Sequence, residues 1–259
     1  MGRRLVDLSI AIEMGTPSDP PGMEPVIEYT RHADSVPIMA TYFPGLTAAD
    51  MPDGEGWASE RVHLSTHNGT HMDAPYHFHS TTDHGQRRAP AIDETPLEMC
   101  FAPGVKLDFR KLADGYVAGA GDVEAELKRI GHTLRPGDIV LVNTRAGEMF
   151  GQPGFIDAGC GMGREATLYL TTRGVKIVGT DAWSWDAPFS HTAKRWAMNR
   201  DPKMIWEGHK AGREIPYWQM EKLTNLASLP PFGYEIICMP VKIKGASAGW
   251  SRVVALFQD

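Results

Sequence analysis

Strands and helices alternate along this 259-residue chain, which places it in the α/β class. Two short apolar runs, 139–142 and 175–179, have the length and Val/Ile content of buried strands. Val123, Leu127 and Ile130 mark the buried stripe of a helix over 123–130, and a second helix is expected at 164–173. The length allows one large domain, spanning 1–259, or two small ones, and a hydrophobic content of 42% supports a sizeable core.

Taken in order, residues 4–11 alternate in part and predict a first strand. Pro17, Pro20, Pro21 and Pro25 make an irregular loop, and a second strand is expected over 25–31. The loop 40–58, broken by Pro44, Gly45, Pro52, Gly54 and Gly56, carries Tyr42, Phe43 and Trp57, which are expected on a pocket wall. A strand over 60–66 leads into a histidine-rich stretch, with His63 read as structural. Residues 80–96 form a polar loop with His84 solvated, and 104–109 form a strand. Asp122 is expected to cap the helix 123–130. The turn 135–138 feeds the strand 139–142. The glycine-rich run 159–163 lacks the preceding strand and following acidic residue of a dinucleotide loop, so it is expected only to lead into the helix at 164. The strand 175–179 ends at Thr180-Asp181, with Trp183 and Trp185 beyond. An amphipathic helix is expected over 190–205.

Composition excludes several classes of function. The net charge is −6 and no basic stripe occurs, which argues against nucleic acid and anionic membranes as partners. No apolar run is long enough to span a bilayer, and residues 1–7 lack the apolar run of a signal peptide. Cys100, Cys160 and Cys238 are odd in number and widely spaced, as expected of reduced, buried thiols in a cytoplasmic protein. Cys160, in the glycine-rich run, is expected to be the more accessible.

Chemistry concentrates in His67-Asn68-Gly69-Thr70-His71-Met72-Asp73-Ala74-Pro75-Tyr76-His77. Gly69 and Pro75 argue against a helix. As an extended segment it would point His67, Gly69, His71 and Asp73 the same way, leaving space at Gly69 for an ion. Pro75 ends pairing and turns the chain, carrying His77 back over the same spot. One histidine in a strand is usually structural, but clustered imidazoles and a carboxylate are the donors expected of catalytic Zn²⁺ or Mn²⁺. Glu221 lies in an apolar, aromatic run, where it needs either a metal or an ion-pair partner.

The pattern His67-x-Gly69-Thr70-His71-x-Asp73-x-Pro75-x-His77-Phe78 resembles the signature of the cyclase family of metal-dependent hydrolases. Leu5-Val6-Asp7-Leu8-Ser9 resembles that family's first strand, and 174–181 its Gly-Ile-Asp segment. Glu221-x-Leu223-x-Asn225-Leu226 resembles the segment with its late glutamate, and 239–243 with Arg252 its final hairpin. The resemblance implies a single α/β domain with a mixed sheet and flanking helices, similar to swivelling β/β/α domains. It implies a homodimer or homotetramer holding one or two Mn²⁺ or Zn²⁺ ions. His67, His71 and Asp73 would hold the first ion. Asp73 and Glu221 would bridge to a second, completed by His209, and His77 would carry the proton. The family hydrolyses arylformamides, isatin-like cyclic amides or dienelactones, so a small flat substrate is expected. Imidazole suits proton transfer because its ordinary pKa is about 6.5. Formamidases of this family carry a stacking tryptophan in the proline-rich loop, whereas Thr16-Pro17-Ser18-Asp19-Pro20 has none. Alternatives are a lactone hydrolase of aromatic degradation and a non-catalytic metal- or ligand-binding protein.

Overall fold

The computed structural model describes residues 2–258; Met1 and Asp259, the ends of the expected 1–259 domain, lie outside the described residues. The strands of three or more residues are β1 (Arg3–Asp7), β2 (Val26–Thr30), β3 (Ser59–His63), β4 (His71–Asp73), β5 (Phe101–Asp108) and β6 (Ile139–Asn143). They continue as β7 (Ile177–Thr180), β8 (Trp218–Glu221), β9 (Tyr234–Ile237), β10 (Ala248–Trp250) and β11 (Val254–Gln258). The helices that matter below are α1 (His32–Met39), α2 (Pro75–Phe78), α3 (Ala120–Ile130), α4 (Arg164–Thr171), α5 (Phe189–Asn199) and α6 (Glu207–Lys210).

Nine strands form one mixed sheet in the order β1-β11-β9-β5-β6-β7-β8-β4-β10. The centre, β5 to β8, is parallel, and the flanks are antiparallel. The crossovers carry α3, α4, α5 and α6, as parallel neighbours require. Alternation divides the sheet into two cores. Ile139 and Leu141 pack on one face with Met72 and Met220. Val140 and Val142 pack on the other with Leu127 of α3 and Leu170 of α4. The expected α/β class and mixed sheet are therefore present.

Several expectations need correction. The strand expected over 60–66 is confined to 59–63 and pairs only with β2, outside the main sheet. Helix α3 starts after Gly119, and Asp122 sits inside its first turn, where it accepts a 2.8 Å hydrogen bond from the Gly119 N–H. The helix expected over 190–205 stops at Asn199, because Arg200 turns left-handed and Pro202 follows. Cys160 is buried, and burial pushes its thiol up to about 12, so it is neither accessible nor nucleophilic. Tyr42, Phe43 and Trp57 are 71%, 58% and 40% exposed and do not line the cavity over the histidine cluster. His63 is likewise exposed, 3.6 Å from Glu28.

Candidate metal centre

Strand pairing assembles the floor of the site. β4 lies between β8 and β10, and Asp73 and His71 stand opposite Gln219 and Glu221. Side chains alternate, so Met72 and Met220 enter the core while His71, Asp73, Gln219 and Glu221 share the other face. All four are buried.

His67 reaches this face by a turn. Gly69 has φ +62°, and a Cβ there would lie 2.7 Å from Ile12 Cγ1, so the extended path expected from His67 to Asp73 is broken. The turn is fixed by Asn68 Oδ1 accepting from the Ser65 N–H at 2.7 Å and by the Thr70 hydroxyl donating to the Lys222 carbonyl at 2.6 Å. It brings His67 Nδ1 to 2.9 Å from Asp73 Oδ1. Pro75 starts the short helix α2, which folds His77 back as expected: its ring centroid lies 4.2 Å from that of His67.

Tautomers follow from the partners. His71 Nδ1 lies 2.9 Å from the Gly69 carbonyl, which can only accept, so in the neutral ring Nδ1 carries the proton and Nε2 keeps a lone pair. That Nε2 is 3.3 Å from Asp73 Oδ1 and 3.6 Å from Glu221 Oε2. His209, on α6, has Nδ1 2.5 Å from Asp186 Oδ2, which likewise leaves its Nε2 free to accept. Asp186 also accepts from the Gly208 and His209 N–H groups, fixing the turn that carries the imidazole. Gln219 Nε2 stands 2.7 Å from His209 Nε2 and 2.8 Å from Glu221 Oε1.

Charge is unevenly balanced here. Burial pushes Asp73 up, but the imidazoles of His71 and His77 prevail and hold it well below the usual carboxylate range. Burial and the nearby Asp73 raise Glu221. Burial pushes His71 down, yet the Asp73 carboxylate prevails and raises it. His77 is pushed down to about 3, chiefly by burial, and therefore stays neutral.

Two buried atoms among the described residues have no hydrogen-bond partner in this cluster, His71 Nε2 and Asp73 Oδ1. An unpaired lone pair facing an unpaired carboxylate oxygen is costly in a dry interior and fits a divalent cation between them. Two triads bring donor atoms within 4.8 Å of one another, His67/Asp73/His77 and His71/Asp73/Glu221. His209 belongs to neither, and the Gln219 amide already engages its free nitrogen.

A cavity of about 180 Å³ opens above these groups, reached by His67, His77, His209 and Glu221 and walled by Trp183, Phe189 and Trp206. Trp183 lines it, whereas Trp185 and Trp218 are core residues. Sequence reasoning missed Trp206, which stacks on His209 at 4.3 Å and 18°. It also missed Asp186, Gln219 and the buried ion pair of Lys222 with Asp19, which ties the proline-rich loop to the site. Lys222 Nζ also donates to the His67 carbonyl at 3.0 Å.

The Cyclase family profile matches residues 6–187. The kynurenine formamidase of Salinibacter ruber is 30% identical over 194 residues, covering 74% of this chain and 77% of that one. The kynurenine formamidase of Erythrobacter litoralis is 28% identical over 204 residues, 79% of each chain. Isatin hydrolase A from Ralstonia solanacearum has a similar fold, with a TM-score of 0.75 at 23% identity over 99% of this chain and 92% of that one. Isatin hydrolase A from Labrenzia aggregata, bound to benzyl benzoate, gives 0.74 at 21% identity over 99% and 94%. With the signature stretch inside the matched region and its side chains converging on one buried face, this chain belongs to the cyclase family.

Proposed function

We propose that this protein is a metal-dependent hydrolase of a C–N bond in an arylformamide or an isatin-like cyclic amide, the substrate classes named by its relatives. The observation that carries the proposal is the pair of unpartnered buried atoms, His71 Nε2 and Asp73 Oδ1, beneath a cavity that also holds His77. His67, His71 and Asp73 would hold the ion: Asp73 is common to both triads, with His67 beside His77 in one and His71 beside Glu221 in the other. Zn²⁺ and Mn²⁺ both accept this donor set. His209 and Glu221 are the residues for a second ion, if Gln219 gives way. When bound, such an ion acidifies water and polarises a carbonyl.

The chain's own groups supply the rest. None of the hydrogen bonds among the described residues engages the His77 ring, which is neutral and borders the cavity, so it is the group free to accept a proton, although burial makes it a weaker base than an ordinary imidazole. The negative charge of Asp73 opposes the effect of burial on His77 and stabilises the imidazolium formed in turn. That imidazolium returns the proton to the departing nitrogen. Asp186 and the Trp206 ring hold His209 in place, and Trp183 and Phe189 favour a flat ring.

The protein is expected to act as a homodimer or homotetramer. β2 and β3 form a two-stranded ladder apart from the main sheet, with Tyr29 61% exposed, and such a ladder is marginal in water without cover. Three unbridged cysteines suit the cytoplasm. Among the described residues no helix is long and apolar enough to cross a membrane.

The test is side-by-side turnover of isatin, N-formylkynurenine and a dienelactone by metal-loaded protein. Faster turnover of either amide supports the proposal. Turnover of the lactone alone replaces it with the lactonase, and turnover of none removes the hydrolase assignment.

A further inference from the structure

A second cavity of about 250 Å³ adjoins the catalytic one. Its wall is apolar: Ala187, Phe189, Ala193, Trp196, Ile205 and Trp206 line it. Phe189 and Trp206 also line the catalytic cavity, so these two rings stand between the spaces. At about 180 Å³, the catalytic cavity is smaller than the roughly 300–1,000 Å³ that usually encloses a drug-sized ligand. The two spaces together reach that range.

The partition is held under strain. Trp206 has φ +59° and ψ +40°, a left-handed conformation that bulky residues rarely adopt. Strain of this kind persists where surrounding structure over-determines it, and it clusters at ligand sites. Here it sets the indole flat on His209 and edge-on to His77, at 4.3 and 5.1 Å between centroids. Asp186, which fixes His209, also borders the side cavity.

We propose that the side cavity beside α5 is a substrate subsite, which receives an apolar substituent carried by the aryl ring of the substrate's amine portion. This inference rests on the hydrolase proposed above and names the substrate class more narrowly: arylamides with an apolar group remote from the scissile bond. The ring lies against Trp206 and Phe189, and the substituent passes between them onto Ala193 and Trp196. Adjacency to the catalytic cavity selects this occupant, since only the Trp206 and Phe189 rings divide the two spaces.

The test uses product-like amines, so binding is read without turnover. Aniline and its 4-methyl, 4-ethyl, 4-propyl and 4-butyl derivatives are titrated calorimetrically into metal-loaded wild type and Ala193→Trp. Ala193 is exposed on α5, outside the catalytic groups, and its replacement fills the side cavity. In wild type, Kd should tighten about fourfold for each buried methylene until the cavity is full. In Ala193→Trp the gain should vanish while aniline binds as before. Equal slopes in the two proteins, or no binding of any member, overturns the subsite. A change of oligomeric state in Ala193→Trp, read by light scattering, assigns the cavity to a second copy and also overturns it. Formanilide turnover, run in parallel, separates the two claims: turnover without a chain-length effect removes the subsite alone. Loss of turnover with the chain-length effect intact removes only the hydrolase.

Discussion

Two buried acidic groups sit at the ends of strands on either side of β8 and have opposite surroundings. Asp181, just after β7, is nearly closed in by local donors. Its oxygens accept from Asn143 Nδ2 at 2.6 Å, from the Thr144 hydroxyl at 2.7 Å and from the Thr144 N–H at 2.9 Å. The unpaired atom in that knot is the neutral Asn143 amide oxygen. Asp73, on β4, faces three imidazoles: His67 Nδ1 lies 2.9 Å and His71 Nε2 3.3 Å from its Oδ1, yet neither that oxygen nor His71 Nε2 makes a well-formed hydrogen bond. Equal burial thus gives a closed carboxylate that staples β6 to β7 and an open one arranged for a guest. A buried acidic group fully supplied by its own chain is structural; one left short of partners marks a candidate binding position.

The comparison breaks first at Asp73. Asp73→Asn should lose bound metal, and turnover should fall roughly 10³-fold or more, the scale of several kcal/mol of lost charge stabilisation. Elemental analysis and steady-state kinetics measure both, and a fully loaded, active variant would end the distinction. His77→Ala should lower kcat by roughly 10²–10⁴-fold while bound metal stays at the wild-type level. Loss of metal there would make His77 a ligand rather than the proton carrier. Asp186→Asn should weaken metal binding or turnover by roughly 10–100-fold through His209, the usual effect of removing a carboxylate behind an imidazole. Competition with a chelator reads this, and an unchanged affinity and rate would leave His209 outside the centre.

The smallest effect is expected at Asp181. Burial pushes this carboxyl up to about 7, against the pull of its hydrogen bonds. The folded state therefore holds a proton that the unfolded chain releases near pH 4. From this group, stability is greatest at low pH, falls by about 1.4 kcal/mol per pH unit between roughly pH 4 and 7, and is level above. Asp181→Asn should flatten that slope in denaturant titrations and leave metal content unchanged. A slope that survives would place the titration elsewhere.

How much of this was legible depends on sequence distance. His67, His71, Asp73, Pro75 and His77 lie within eleven consecutive positions, and their types and spacing carried the chemistry. The parity of β4 was readable from alternation, and so in principle was Gln219, two residues before Glu221 on the same strand face. The path of His67 was not, since the sign of φ at Gly69 decides it and glycine adopts either. Asp186 and Lys222 act on His209 and His67 across 23 and 155 residues, and only the folded chain joins them. Trp206 stands in the mixed run Lys203-Met204-Ile205-Trp206-Glu207, which carries no pattern that marks it; its left-handed backbone makes it a wall. The hairpin β2–β3 had strand composition, but composition does not say which sheet a strand joins.

The most direct measurement is metal stoichiometry, by elemental analysis after gel filtration, for wild type, Asp73→Asn and Asp181→Asn prepared side by side. The account predicts at least one divalent ion per chain in wild type and in Asp181→Asn, and almost none in Asp73→Asn. Equal metal in all three, or loss from Asp181→Asn alone, would contradict it.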